Sequence, residues 1–179
     1  MSNFARNIFV LGGMVLICSA ASFRAQAAEP EQEREVTLKS LQEEVDYLRS
    51  AMPGQAFAMT QVAYNFNNLW FAAQSNNWPL AQFYLSETRV RLRWAMRITP
   101  VRKVAGADLE LTPIATALEN VQLAALAEAV TTKDASAFTS AYEATMGACQ
   151  GCHTAVEKPF LKLQIPTQPA EWMIDFSPQ

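Results

Sequence analysis

The sequence has little of what most enzyme active sites need: 179 residues contain one histidine, three cysteines and six glycines. With one histidine, the chain has few candidates for a general base, and no constellation of Ser, Asp or Glu side chains stands out in its place. The few glycines form no phosphate-binding loop. We therefore expect no independent catalytic activity.

Residues 1–27 have the three parts of a secretory signal peptide: a basic Arg6, an apolar run over 8–20 and an A-x-A cleavage site at 25–27. The apolar run is shorter than the ~20 residues that a membrane-spanning helix needs. We therefore expect cleavage, no permanent membrane anchor and a periplasmic protein. Loss of Arg6 and Arg24 would change the net charge from −3 to −5, and an acidic protein is not expected to bind nucleic acid.

The C-terminal part of the chain contains a C-x-x-C-H motif over residues 149–153. Two thiols at this spacing share one helical turn and can each add to a haem vinyl group, and the adjacent imidazole can then bind the iron. A thioredoxin-like motif would lie in a βαβ unit, which the pattern does not predict. A zinc site would need a second Cys/His pair, which the chain lacks. We therefore expect one covalently bound haem c, held by Cys149, Cys152 and His153.

Apolar spacing predicts an all-α protein. Helices are expected over about 55–75, from Pro79 to Pro100, over about 112–130, and over a fourth stretch that ends near the C-x-x-C-H motif. A loop is expected over 104–111, and no strand pattern is seen before the tail. Short connections favour an up-down-up-down four-helix bundle over 53–158.

The third predicted helix carries apolar residues on two sides. Its expected inner face is Ile114, Leu118, Val121, Ala125 and Ala129, while Leu123, Leu126 and Val130 fall elsewhere. We interpret this pattern as a helix that is buried on two sides.

The bundle is flanked by segments of different character. Residues 28–52 are expected to form a charged leader and an amphipathic helix. Within them, apolar residues recur at spacings of 3, 4, 3 and 4, as in a coiled coil: Leu38, Leu41, Val45, Leu48 and Met52. This helix would either lie on the bundle or join subunits of a homo-oligomer through residues 36–52. Residues 159–179 are expected to form an extended, proline-interrupted tail.

The predicted topology also suggests a second iron ligand. The first and fourth helices of such a bundle are antiparallel neighbours, so Met59 would face His153 across the haem. A thioether opposite an imidazole gives a six-coordinate iron with a raised potential, which suits electron transfer. Met59 would otherwise be a core residue. The rival methionines are Met52, Met146 and Met173.

Arginines cluster on the second predicted helix, where Arg89, Arg93 and Arg97 follow each other at intervals of four. Three interpretations stay open: a solvated helix face, pairing with haem propionates, or docking of an acidic redox partner.

The signal peptide, the four predicted helices and the C-terminal C-x-x-C-H motif together resemble cytochrome c prime and its low-spin relatives, which are four-helix monohaem cytochromes. The stretches 69–72 (Leu-Trp-Phe-Ala) and 77–81 (Asn-Trp-Pro-Leu-Ala) are also similar to a group of exported bacterial c-type cytochromes. The resemblance covers roughly residues 53–166. It implies thioether bonds at Cys149 and Cys152, His153 as proximal ligand and Met59 at the distal position.

One departure from cytochrome c prime concerns gas binding. That family usually carries a basic residue four places after the proximal histidine, whereas this chain has Glu157 there and Lys158 next to it. We therefore expect an exported cytochrome that exchanges electrons with a redox partner protein. The alternatives are a five-coordinate protein that binds NO or CO, and a haem subunit of a larger redox complex.

Overall fold

The structure is a computed structural model that describes residues 36–178. The expected signal peptide and most of the charged leader therefore lie outside the described residues. Within the described range, no helix is long and apolar enough to cross a membrane. The described residues divide into two units between Glu44 and Val45, and this boundary lies within the first helix.

The described residues are mostly helical, as the sequence predicts. The elements are α1 (Leu38–Ala51), α2 (Gln55–Gln74), α3 (Trp78–Ile98), β1 (Val101–Val104), β2 (Ala107–Glu110), α4 (Leu111–Asn120), α5 (Gln122–Thr132) and α6 (Ala135–Ala155). Helix α2 packs along α3 and α5 packs along α6, while further contacts join α3 to α5 and α2 to α6.

Local sequence signals explain how α3 begins and ends. The side chain of Asn77 accepts a hydrogen bond from the backbone N–H of Leu80 at 3.2 Å, and Pro79 lies in the first turn. The helix ends at Ile98, two residues before Pro100. The predicted bounds of this helix are confirmed to within two residues.

The prediction of one continuous third helix is wrong. The chain forms two helices, α4 and α5, which meet at Val121. The break explains the two apolar sides, because each helix buries its own face. Val121 is 61% exposed and Ala125 is also exposed, whereas the buried residues of α5 are Leu123, Leu126, Ala129 and Val130.

The prediction of a loop over 104–111 is also wrong, since β1 and β2 form an antiparallel hairpin there. Its two-residue turn holds Ala105 and Gly106 at positive φ (48° and 84°), the geometry that tight hairpins favour. Two four-residue strands are too short to show a clear alternation of apolar and polar residues.

Aromatic side chains join α2 to α6 in the core. The rings of Phe66 and Tyr142 stack with centroids 4.1 Å apart, and the Tyr142 hydroxyl donates to the Phe66 carbonyl at 2.9 Å. Trp70 packs on Tyr142 at 4.9 Å, and Phe138 is fully buried beside it. These contacts set the position of α6 along α2.

The C-terminal tail is fastened to α2 and α3 by asparagine side chains. Asn68 accepts hydrogen bonds from the backbone N–H groups of Ala170 and Glu171, both at 3.0 Å, and Asn77 donates to the Ser177 carbonyl at 2.8 Å. Phe176 packs on Tyr84, with ring centroids 6.2 Å apart. The tail is therefore ordered by specific polar contacts as well as by apolar packing.

Tyr64 of α2, which contacts Glu171 of the tail, has a strongly raised pKa. The Tyr64 hydroxyl donates to the Glu171 carboxylate, and this bond, together with burial and the negative charge, raises the pKa of Tyr64 to about 12. The bond needs a protonated tyrosine. While Glu171 is ionised, the contribution of this bond to stability is therefore complete below pH 10, the ordinary pKa of tyrosine, and is lost as the pH rises through about 12.

We predict that Glu171→Gln returns the pKa of Tyr64 toward 10, because both the charged acceptor and its negative field are removed. The titration can be followed by NMR of the assigned Tyr64 ring. Glu128→Gln, an exposed change on α5, is the matched control and leaves the titration as it is. An identical Tyr64 titration in native protein and in Glu171→Gln would contradict the contact.

Candidate functional site

The C-x-x-C-H motif occupies the last two turns of α6, and the chain reverses directly after it. The helix ends at Ala155, and Glu157 adopts a left-handed conformation with φ of 60°. The Lys158 N–H then donates to the His153 carbonyl at 2.8 Å, and the Glu157 N–H donates to the Thr154 carbonyl at 3.1 Å. This pair of bonds is a Schellman motif, which brings the following segment back over the helix end.

The two cysteines are free thiols that share one side of α6. Burial, with a smaller contribution from the neighbouring Cys152, raises the pKa of the Cys149 thiol to about 11. Burial also raises the pKa of Cys152, and the positive charge of Arg102 offsets part of that shift. Both side chains are therefore uncharged thiols at neutral pH.

The segment after α6 contacts the histidine. The Nδ1 atom of His153 lies 3.4 Å from the carbonyl oxygen of Leu161. Nearby, the Gln150 side chain accepts the Leu163 N–H at 3.0 Å and so holds the segment against the helix. A proton on Nδ1 would point at the Leu161 carbonyl and leave Nε2 as the free electron-pair donor.

Met59 lies one turn into α2, at an end that is firmly held. The Gln55 side chain donates to the Ala95 and Thr99 carbonyls at 3.2 and 3.3 Å, which caps the end of α3. Its oxygen accepts two hydrogen bonds from the Arg102 guanidinium, at 3.0 and 2.5 Å. These bonds fix the start of α2 against α3 and β1.

The residues expected to bind haem come together in one cavity of about 350 Å³. Met59 from α2 and Cys149, Cys152 and His153 from α6 all line it. The remaining walls are mostly aliphatic and come from α3, α4, α5 and α6: Leu92, Met96, Leu111, Ile114, Ala115, Ala117, Leu118, Gln122 and Ala148. Helix α4 contributes the largest share, so the break at Val121 bears directly on the shape of the cavity.

The other methionines are placed differently. Met52 is 52% exposed, Met173 is 92% exposed, and Met146 packs against the core, and none of the three lines the cavity. Met96 does line it, and the sequence reasoning missed this residue. Met96 lies four residues after Leu92, so the two share one face of α3. This spacing could have identified Met96 from the sequence.

The arginines of α3 mostly have partners within the protein. Arg89 donates to the Leu123 carbonyl at 2.6 Å, and Arg93 forms a 2.6 Å ion pair with Glu119. Arg91 pairs with Glu87 on its own helix at 2.9 Å. The Arg89 and Arg93 bonds tie α3 to α5 and α4, so two of the three arginines in the predicted stripe have partners within the protein.

Arg97 is the exception in this group. No ion pair to Arg97 occurs within residues 36–178. It lines a second cavity of about 440 Å³, together with Arg93, Thr112 and Thr116. This cavity shares Leu92, Met96 and Ala115 with the first, so the two are adjacent.

Across residues 36–178, no three His, Cys, Asp or Glu side chains converge as they would around a metal ion held by such groups alone. Comparisons with protein-family models, with curated proteins and with solved structures found no match to this chain.

Proposed function

We propose that this chain is an exported c-type cytochrome that transfers electrons through one covalently bound haem. The observation that carries the proposal is that Met59 and the C-x-x-C-H residues, about ninety positions apart in the sequence, line one cavity. When bound there, a haem would supply an iron that alternates between the ferric and ferrous states. Under this proposal α2, α3, the α4–α5 pair and α6 correspond to the four helices of the predicted bundle.

The thiols have the chemistry that attachment needs. Cys149 and Cys152 form no disulfide and lie three residues apart on α6, so both would be placed to bond the vinyl groups of one haem. Each S–H would add across a vinyl double bond, with the sulfur bonded to one carbon and the hydrogen transferred to the other. No oxidant or leaving group is required.

His153 would then be the proximal ligand through Nε2. The Leu161 carbonyl lies on the Nδ1 side of the ring, where it would orient the imidazole and make it a stronger donor. Cys152 and His153 are partly exposed. The residues that would hold the haem therefore lie partly at the surface, as exchange of electrons with another protein requires.

The cavity offers two thioethers that would be available as a second iron ligand, Met59 and Met96. We favour Met59, because Met96 packs against the hydrophobic core and also lines the second cavity, whereas Met59 lines the first cavity alone. If neither sulfur binds, the aliphatic walls would instead leave a pocket for a small gas molecule, which is the alternative function.

Arg97 is a candidate partner for the propionates. With the macrocycle in the first cavity, the adjacent second cavity is where these carboxylates would extend, and Arg97 has no carboxylate partner there among the described residues. A guanidinium can bind a carboxylate with two parallel hydrogen bonds. This contact would fix the orientation of the cofactor.

We predict that the chain, when exported from a bacterium that matures c-type cytochromes, gains the mass of one haem that survives denaturation. Loss of either thiol leaves one thioether bond, and Cys149→Ala with Cys152→Ala abolishes covalent attachment. Mass spectrometry of the denatured protein measures the result. A native chain without covalent haem, beside a control cytochrome that is fully loaded, would overturn the proposal.

We predict that Met59→Ala abolishes the weak far-red absorption band of methionine-ligated ferric haem and lowers the reduction potential. The fall should be on the order of 0.1 V, within the ~0.8 V that axial ligands span. Met96→Ala is the matched control and keeps the band. The reverse pattern would make Met96 the ligand, and carbon monoxide binding by the native ferrous protein would favour the gas-binding function.

We predict that Arg97→Gln lowers the reduction potential, because removal of a positive charge near the iron favours the ferric state. It should also raise the pKa of a propionate, which appears as a shift in the pH dependence of the potential. Lys133→Gln removes the same charge beside the opposite end of α6 and serves as control. Unchanged potential and pH dependence in Arg97→Gln would exclude the contact while leaving haem attachment intact.

A further inference from the structure

Helix α1 exposes a continuous apolar seam. None of its residues is buried, and the five heptad positions are between 39% and 88% exposed: Leu38, Leu41, Val45, Leu48 and Met52. The helix is otherwise well formed, since Thr37 and Ser40 cap each other through two 3.0 Å bonds. A helix of 14 residues is marginal in water by itself, so the seam indicates a binding partner.

We propose that this partner is α1 of a second copy of the chain, in a parallel two-stranded coiled coil. In heptad notation, the central a position is Val45 and both d positions are leucine, Leu41 and Leu48. A β-branched residue at a with leucine at d favours two parallel strands over higher oligomers. The seam is thus complementary to itself.

The charges beside the seam favour the same arrangement. Glu44 occupies a g position and Arg49 the e position of the next heptad, five residues later. In a parallel dimer, g faces that e position of the other chain, so each Glu44 meets the partner's Arg49. An antiparallel pair would place g against g and e against e, and would lose both ion pairs. Within residues 36–178, the ion pair formed by Arg49 is with the exposed Asp46 of its own helix, at 3.3 Å.

The inference is independent of the proposed haem. The seam ends at Met52, and the cavity residues begin at Met59. Dimerisation can therefore be measured whether or not haem is attached, and its failure would leave the electron-transfer proposal standing.

Sedimentation velocity of the exported, full-length mature chain tests the proposal. We expect a dimer fraction that rises with protein concentration. Leu41→Ser combined with Leu48→Ser should weaken association by at least about 100-fold, because two apolar layers are lost. The control Tyr47→Ser lies outside the seam, at a side chain that is 70% exposed, and leaves the dimer unchanged. A monomer at every concentration, or a dimer that survives the double substitution, would overturn the proposal.

Charge reversal provides a second test that does not disturb the apolar seam. Glu44→Lys should weaken the dimer by about twofold to fivefold, since two exposed pairs become repulsive. Glu44→Lys combined with Arg49→Glu should restore it, because the pairs reform with opposite signs. Glu43→Lys, which lies on the outer face, is the control. Failure of the combined variant to restore association would exclude this register.

A cysteine variant tests the parallel orientation. Under mild oxidation, Val45→Cys should form a disulfide-linked dimer in high yield, because equivalent a positions face each other only in a parallel, in-register pair. Tyr47→Cys, on the outer face, should crosslink poorly. Equal crosslinking of the two variants would contradict the parallel arrangement.

Discussion

The stacking of Phe66 on Tyr142 is the contact on which the candidate site depends. It joins α2 to α6 and, with the hydrogen bond from the Tyr142 hydroxyl, sets how far one helix is shifted along the other. Met59 lies seven residues before Phe66, and Cys149 lies seven residues after Tyr142. Since both line one cavity, the helices run in opposite directions there, and each site residue is displaced by about 10 Å from the stack. A packing interaction in the core thus brings the two halves of the site together.

The two ends of that cavity are held by polar contacts of different kinds. At the start of α2, Gln55 links the end of α3 to Arg102, which also acts electrostatically on Cys152. At the end of α6, the Schellman motif turns the chain so that the Leu161 carbonyl faces His153. Between them the walls are aliphatic. Under the proposed function, this arrangement would exclude water from the iron while leaving one porphyrin edge near the surface.

The sequence predicted the helical class and the bounds of α2 and α3. It also named Met59, Cys149, Cys152 and His153, which line one cavity, and their binding of haem stays a prediction. These rest on strong local signals: Pro79 and Pro100 at the helix ends, and the spacing of Cys149, Cys152 and His153. It missed the break at Val121 and the hairpin of β1 and β2. No proline or glycine marks the break, and tertiary packing decides it: α5 packs mainly on α6, while α4 contacts α3, α6 and β1. The spacing of Met96 from Leu92 indicates that the two share a face of α3, but which cavity this face lines depends on where α4 lies.

The central proposal is that the cavity between α2 and α6 holds an iron bound by His153. The most direct measurement is a crystal structure of the exported protein, with diffraction data collected at the iron absorption edge. We expect one anomalous peak in the cavity, within bonding distance of the His153 Nε2 and of the Met59 sulfur on the opposite side. An iron located elsewhere, or an exported protein that contains no iron, would contradict the proposal.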